Sequence, residues 1–160
     1  MTEETIAKEQ EEQQFVIQRI YLKDMSFESP NTPTIYGEEW DPDISLQMNT
    51  QARAVGAPFF EVELDLTVTV KSKEQTAFLV EIKQAGVFHI SGYDADEMNH
   101  LLASYCPTIL FPYAREAISS LVSKGSFPEL HLSPINFEAL YAQRLEELKQ
   151  EESAVTTEES

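Results

Sequence analysis

The chain has 160 residues, of which 42% are hydrophobic, and a formal net charge of −17 from 11 Lys and Arg against 28 Asp and Glu. This length fits one globular domain with its own core. The acidic balance argues against binding to DNA, RNA or an anionic membrane, because such partners are bound through clusters of Lys and Arg.

Acidic residues are concentrated at both ends of the chain. Residues 1–14 carry a charge of −4, residues 146–160 carry −5, and neither segment contains an aromatic residue. We therefore predict disordered acidic tails at 1–14 and 149–160 around a single domain at 15–148. A basic or unfolded partner suits this charge.

The chain has no pattern of a secreted or membrane protein. Its N-terminus lacks the basic and apolar regions of a signal peptide, and no apolar stretch approaches the roughly 18 residues of a membrane span. The lone cysteine, Cys106, cannot form an internal disulfide. These features predict a soluble, cytoplasmic protein.

Four segments have the alternating pattern of strands, at 15–27, 44–48, 60–71 and 76–90. In the first, one face is expected to hold Phe15, Ile17, Tyr21, Met25 and Phe27. The third alternates most regularly and places Glu61, Glu63 and Asp65 on its polar face, where we expect solvated side chains. Gly86 in the fourth strand is expected to form a bulge.

A proline-rich crossover at 29–42 joins the first two strands and carries Tyr36 and Trp40. After the strands, Asp94 begins a capping box and a helical pattern that Pro107 and Pro112 should bend or break. That pattern ends at Gly125, which is expected to be a left-handed C-cap.

Asn136 is expected to cap a last amphipathic helix, whose apolar stripe consists of Phe137, Leu140, Tyr141, Leu145 and Leu148. Four strands followed by two helices predict an α+β fold with a four-stranded antiparallel sheet.

No catalytic or metal-binding motif is present in the sequence. The glycines stand too far apart for a phosphate loop, and His89, His100 and His131 lack metal-ligand spacing, so we interpret each as an ordinary structural or surface histidine. Cys106 follows His100 but has apolar neighbours, which favours a buried hydrophobe over a nucleophile.

The remaining candidates are apolar side chains in irregular segments, namely Tyr36, Trp40, Phe127, Leu130, Leu132, Phe137 and Tyr141. One interpretation is that they close the core. The other is that loops and a short helix form an apolar groove for another chain, because binding residues gather on loops held by a rigid scaffold.

One segment of the chain is unusually specific, namely CPTILFPYARE at 106–116, with two prolines at fixed positions. Further distinctive segments are QRIY at 18–21, SFESPN at 26–31, GSFP at 125–128 and LHLSPINFEALY at 130–141. Together these segments resemble the bacterial protein-export chaperone SecB.

This resemblance implies a homotetramer, built as a dimer of dimers, that needs no cofactor, metal or ATP. It implies a protein that holds newly made precursors unfolded in the cytosol and passes them to the translocase motor SecA. The helix at 94–125 would pack in the tetramer interface. The implied client groove contains Tyr36, Trp40, Ile44, Leu46, Met48, Phe127, Leu130, Phe137, Leu140 and Tyr141.

The resemblance also implies a contact surface for a basic, zinc-bearing segment of SecA, formed by Asp24, Glu28, Leu79 and Glu81. Lys83 departs from the family pattern and could weaken this contact, and the tail after Glu151 offers only Ala154 and Val155 as apolar points.

Three alternatives remain open from the residues. The chain could be a SecB-like chaperone for another client, such as an antitoxin. It could be a small enzyme on a sheet-and-helix fold, such as a thioesterase, or a purely structural oligomer.

Overall fold

The computed structural model describes residues 12–158, which form an antiparallel sheet of four strands followed by helices, as predicted. The sheet order is β1-β4-β3-β2, and the strands are β1 (Gln14–Glu28), β2 (Pro42–Ala54), β3 (Phe59–Ser72) and β4 (Gln75–Ser91). The crossover contains a 3-10 turn at Thr34–Gly37.

The helices are α1 (Ala95–His100), α2 (Cys106–Lys124) and α3 (Phe137–Glu158). A π-helical turn, Leu101–Tyr105, joins α1 to α2 without a break. We refer to 95–124 as the central helix. Asp94 caps it with the predicted capping box, and the Asn136 side chain accepts a hydrogen bond from the Ala139 amide, as expected of an N-cap.

The core lies between the sheet and the central helix. The even-numbered residues of β3 and β4 face this helix, and Leu110, Ala114, Ile118 and Val122 on the helix are fully buried. We call this side of the sheet the inner face and the opposite side the outer face. Strand β2 is longer than predicted because it pairs with nearly the whole of β3, from Pro42 opposite Ser72 to Ala54 opposite Phe60.

Two register shifts in β1 change which of its residues share a face. They lie between Ile17 and Arg19 and between Leu22 and Asp24, and the bulges are therefore in β1. Tyr21 consequently faces outward opposite Ala85, while Phe15 faces inward opposite Ile90. The prediction that Tyr21 and Phe15 share a face is therefore wrong.

Gly86 is not a bulge, because it pairs in register with Ile20 on one side and Val62 on the other. A Cβ at this position would lie 2.9 Å from the carbonyl oxygen of Arg19 and 3.2 Å from Leu110. The missing side chain allows close packing of β1 and the central helix against β4.

The two prolines, expected to bend or break the central helix, do not break it. Pro107 lies in the first turn of α2, where its missing amide is tolerated, and the preceding π turn is closed by the Cys106 amide bonding to the Leu101 carbonyl. Pro112 lies inside α2, which burial of neighbours such as Phe111 and Ala114 stabilises against the sheet.

The left-handed residue after the central helix is Ser126, with φ of 59°, whereas Gly125 has φ of −81°. The prediction of a left-handed Gly125 is therefore wrong. Gly125 is needed for space, since a Cβ there would clash with the ring of Phe27.

Helix α3 continues to Glu158, so residues 149–158 are helical where the sequence predicts a disordered tail. No Gly or Pro follows Phe137, and Glu, Lys, Gln and Ala are strong helix formers. Residues 1–11 of the predicted N-terminal tail lie outside the described residues. Among residues 12–158, no helix is both long and apolar enough to cross a membrane.

Candidate functional site

An apolar groove of about 530 Å³ lies between strand β2 and helix α3, with the π turn at its base. Helix α3 contributes three leucines that remain substantially exposed, Leu140 at 42%, Leu145 at 41% and Leu148 at 44%. The lining residues include Met48, Thr50 and Ala52 from β2, Leu102 and Ala103 from the π turn, and Phe137, Leu140, Tyr141, Arg144, Leu145 and Leu148 from α3.

The wall formed by β2 continues beyond the groove along the inner face of this edge strand. Ile44 and Leu46 lie opposite Val70 and Val68 and are 48% and 39% exposed. Alternate residues of a strand lie about 7 Å apart, so Ile44, Leu46 and Met48 form a row about 14 Å long. This row leads from the crossover to the groove.

An aromatic cluster closes the other end of that row. The ring of Phe127 lies 5.4 Å from Tyr36, 5.9 Å from Trp40 and 4.9 Å from Phe78. Tyr36 also donates a hydrogen bond of 2.7 Å to the Gly125 carbonyl, which fixes the crossover onto the end of the central helix. The cluster is therefore part of the packed structure.

The structure brings the predicted groove residues together in three groups. Met48, Phe137, Leu140 and Tyr141 line the groove, Ile44 and Leu46 lie beside it, and Tyr36, Trp40 and Phe127 form the aromatic cluster. Leu130 is half-buried against the core. Phe127, Leu132 and Phe137 are buried and belong to the core, so they support the surface from beneath.

The groove also contains Leu102, Ala103 and Arg144, which the sequence does not predict by name. Leu145 and Leu148 belong to the apolar stripe predicted for the last helix, and their helical spacing with Tyr141 places all three on one side of α3. Ala103 gives no comparable signal, because it borders the groove through its position in the π turn.

A polar cluster joins the first turn of α3 to the central helix. The Glu138 carboxylate lies 2.6 Å from Nε2 of His100 and accepts a 2.7 Å hydrogen bond from the buried Ser104 hydroxyl. The His100 ring stacks on Tyr141 with centroids 5.1 Å apart. The bonds from Ser104 and then His100 lower the pKa of the Glu138 carboxyl.

These side chains do not form a catalytic triad, because the serine and histidine contact the same carboxylate instead of each other. Cys106 is equally unsuited to catalysis, since burial raises the pKa of its thiol to about 12 and keeps it protonated at neutral pH. This burial agrees with its interpretation as a small core hydrophobe.

The His89 ring packs against Phe59 at a tilt of 45°, with centroids 5.3 Å apart, and Nε2 of His131 lies 3.3 Å from Glu129. Within residues 12–158, no group of three or more His, Cys, Asp or Glu side chains is placed to hold a metal ion.

The outer face carries four residues for which the resemblance implies a contact with SecA, namely Asp24, Glu28, Leu79 and Glu81. Glu28 lies directly opposite Leu79, and Glu81 lies opposite Ser26, two residues from Glu28. Asp24 lies opposite Lys83 on the same face. The β1 bulges preserve this arrangement, so Glu28 and Glu81 flank Leu79, and Asp24 lies further along the same face beside Lys83.

Glu61 and Glu63 on the outer face are both only 8% exposed, so the expectation of a solvated row is wrong. The Glu61 carboxylate accepts hydrogen bonds from the Tyr21 hydroxyl and, at 3.0 Å each, from Lys23 and Arg53. Lys23 also lies 3.3 Å from Glu63. This network links β1, β3 and β2. Between β1 and β3 it crosses β4, where the side chain of Ala85 is small enough to leave room.

The network shifts the pKa of its members in opposite directions. The hydrogen bond from Tyr21, followed by those from Arg53 and Lys23, lowers the pKa of Glu61 to about 2. Burial and the bond to Glu61 raise the pKa of Tyr21 to about 12. Burial, followed by contact with Glu63, raises the pKa of Asp65 to about 6, and one Asp65 oxygen is buried without a hydrogen-bond partner.

A second exposed apolar surface follows the free edge of β1, where Val16, Ile17, Leu22 and Met25 are exposed. Tyr105 and Tyr113 on the central helix are also exposed. Large apolar surfaces of this kind mark sites of protein association.

A sheet-and-helix fold with an open apolar groove and acidic outer surface has the features of a protein that binds other polypeptides. The comparisons agree with this class. A family model described as "SecB: Preprotein translocase subunit SecB" matches residues 8–148. The chain belongs to the SecB family of protein-export chaperones, and it is not an enzyme.

Curated relatives cover nearly the whole chain. Protein-export protein SecB of Legionella pneumophila (strain Corby) is 54% identical over 148 residues, covering 92% of this chain and 91% of the relative. The Ectopseudomonas mendocina protein of the same name is 54% identical, covering 90% and 89%. That of Pseudomonas fluorescens (strain SBW25) is 51% identical, covering 94% of each.

A solved structure shares the fold. It is the SecB-like chaperone Rv1957 of Mycobacterium tuberculosis, in complex with a ChAD peptide from the Rv1956 HigA1 antitoxin. It matches with a TM-score of 0.63 and 19% identity, covering 76% of this chain and 90% of that one.

Proposed function

We propose that this protein holds newly made precursors unfolded in the cytosol by binding their apolar segments in the groove and the adjoining row on β2. The observation that carries this proposal is the exposure of Leu140, Leu145 and Leu148 along one wall. Apolar contact supplies affinity without sequence preference, at roughly 25 cal/mol per Å² removed from water.

One such groove binds weakly, because association and ordering offset several kcal/mol of that gain. Linked grooves raise overall affinity by about 10² to 10⁴ through effective concentration. We therefore propose a homotetramer, built as a dimer of dimers, and the exposed β1 edge and central-helix tyrosines support such an assembly. Only an unfolded client reaches several grooves, which is how the protein distinguishes nascent from folded chains.

Delivery to the SecA motor is proposed to use the outer face. Glu28 and Glu81 flank Leu79, with Asp24 further along β1, and this arrangement suits a basic segment with an apolar contact. The groove and this surface lie on opposite faces of the sheet, so both partners can bind together.

Export precursors are favoured over an antitoxin as clients because the relatives at 51–54% identity are protein-export proteins. The antitoxin complex involves a protein only 19% identical. Sequencing the polypeptides that co-purify with this chain would distinguish the two client sets.

The decisive experiment measures aggregation of a denatured precursor with and without this protein. The native mass of this protein is measured in parallel. Suppression near one precursor per tetramer is expected. A monomer that leaves aggregation unchanged would contradict the proposal.

A further inference from the structure

We propose that Ser104, His100 and Glu138 are positioning residues of the groove, forming a clasp that fixes helix α3 at the angle where Tyr141 and the following leucines face β2. This inference rests on the proposed function and concerns how the same groove is maintained. It assigns a role to polar residues that do not themselves belong to the apolar client surface.

Helix α3 is attached to the rest of the chain mainly through its first turn. Phe137, at its start, is buried and packs against Phe111 with ring centroids 6.2 Å apart. Beyond this turn, the helix borders the groove with Leu140, Leu145 and Leu148 still exposed. The direction of the helix therefore depends on its first turn.

Three contacts converge on the first turn of α3. Glu138 accepts a hydrogen bond from Ser104 at 2.7 Å, and its carboxylate oxygens lie 2.7 and 2.6 Å from Nε2 of His100. Tyr141, three residues further along α3, covers the other side of the His100 ring. The imidazole is thus held between two side chains of one helix face.

This clasp differs from an ordinary surface ion pair, which usually contributes little to stability. Ser104 is buried, so its hydroxyl depends on Glu138 as an acceptor within the described structure. Glu138 lies in the first turn of α3, where a carboxylate is also favoured by the helix dipole. One side chain therefore stabilises both the helix end and its attachment.

The clasp lies next to the residues that form the proposed binding groove. His100 and Ser104 flank the π-turn residues Leu102 and Ala103, and these form the base of the groove. The clasp thus joins the base of the groove to the wall formed by α3. Keeping the two in place before a client arrives reduces the ordering needed on binding.

The test is a double-mutant cycle of His100→Ala and Glu138→Ala in the full chain, with two readouts. Calorimetry gives the Kd for a denatured precursor, and hydrogen exchange reports on amides 139–148. Each single change is expected to raise the Kd roughly 3- to 10-fold and speed exchange. The double variant should lose clearly less than the sum of the two single losses, because both single changes remove the same contact between His100 and Glu138.

Two further variants exclude a general loss of structure or charge. Glu138→Gln keeps an acceptor for Ser104 and is expected to restore part of the affinity lost in Glu138→Ala. Glu146→Ala removes an exposed carboxylate from the same helix, outside the groove lining, and should match the wild type. Native mass is recorded for every variant.

Wild-type Kd in the two single variants, or additive losses in the double variant, would overturn the clasp. If the wild type itself binds no precursor, the proposed function fails, and hydrogen exchange alone decides for the clasp. Faster exchange at 139–148 would then support it, and unchanged exchange would overturn it.

Discussion

Glu61 is a carboxylate on the open face of a sheet that its own neighbours shield from water. Lys23 reaches it because β1 carries an extra residue at a bulge, and Arg53 reaches it from the opposite edge strand. Removing the charge should leave these two cations and Tyr21 without a negatively charged acceptor.

Replacing Glu61 by Gln is expected to lower the thermal midpoint at pH 7 by roughly 5 °C, since charge-assisted bonds of about 1–3 kcal/mol are lost. The pKa of Glu61 is about 2, below the ordinary 4.5. Its contribution to stability is therefore complete above pH 4.5 and lost as the pH falls towards 2. Calorimetric midpoints at one protein concentration should converge towards low pH, and a constant difference would contradict this.

Asp65 is expected to behave in the opposite way. Its pKa of about 6 lies above the ordinary 3.8, so its contribution is complete below pH 3.8 and lost as the pH rises through 6. Asp65→Asn should therefore raise the thermal midpoint at pH 8 and leave it nearly unchanged at pH 4. Asp43→Asn, an exposed change of the same kind, is the control; equal gains in both variants would indicate only reduced net charge.

At the scale of elements, alternation in the sequence predicts β3 and β4 well because each faces the core on one side only. The β1 bulges could not be predicted, since an extra residue such as Lys23 leaves no mark in the local pattern. Burial of Glu61 was missed for a related reason: its partners Lys23 and Arg53 come from other strands. The alternation of residues describes one segment alone, whereas the register between strands determines which side chains are neighbours.

The groove was predictable in composition but not in shape. The row of Ile44, Leu46 and Met48 is visible in the sequence. The base of the groove depends on a π turn, which the sequence does not predict because the nearby prolines indicate only a bend or a break in the helix.

A charge on the β2 wall should weaken client binding. Leu46→Asp is expected to raise the Kd for a denatured precursor about tenfold or more, since burial of a leucine contributes about 1.5–3 kcal/mol. The proposed tetramer should remain intact, because Leu46 lies on β2, the sheet edge opposite the exposed β1 edge. Tyr141→Asp should act similarly from the opposite wall.

Gln47→Asp is the matched control, because it places the same charge on the next residue but on the outer face. Calorimetry that gives Leu46→Asp the affinity of this control would refute the placement of the client surface.

For the whole molecule, the two faces of the sheet predict separable activities. Glu28→Lys combined with Glu81→Lys should weaken the contact with SecA at least tenfold by reversing the charge around Leu79. Client holding should persist, because the groove lies on the other face. Pull-downs with SecA and aggregation assays with a precursor measure the two activities in parallel.

Glu74→Lys combined with Glu152→Lys makes the same change in net charge at exposed positions elsewhere. Loss of both activities in the outer-face variant would mean that the substitutions had damaged the fold.

Attachment of α3 at one end has a geometric consequence for which client segments fit. Tyr141 lies about 4.5 Å along the helix axis from Glu138, and Leu148 lies about 15 Å from it, at 1.5 Å per residue. A tilt of about 10° at the attachment therefore moves Leu148 by roughly 2.6 Å and Tyr141 by less than about 1 Å. Such a tilt would widen the opening as a wedge, so we expect the proposed groove to accept bulky client side chains towards Leu148, while the end near Tyr141 keeps a nearly fixed width.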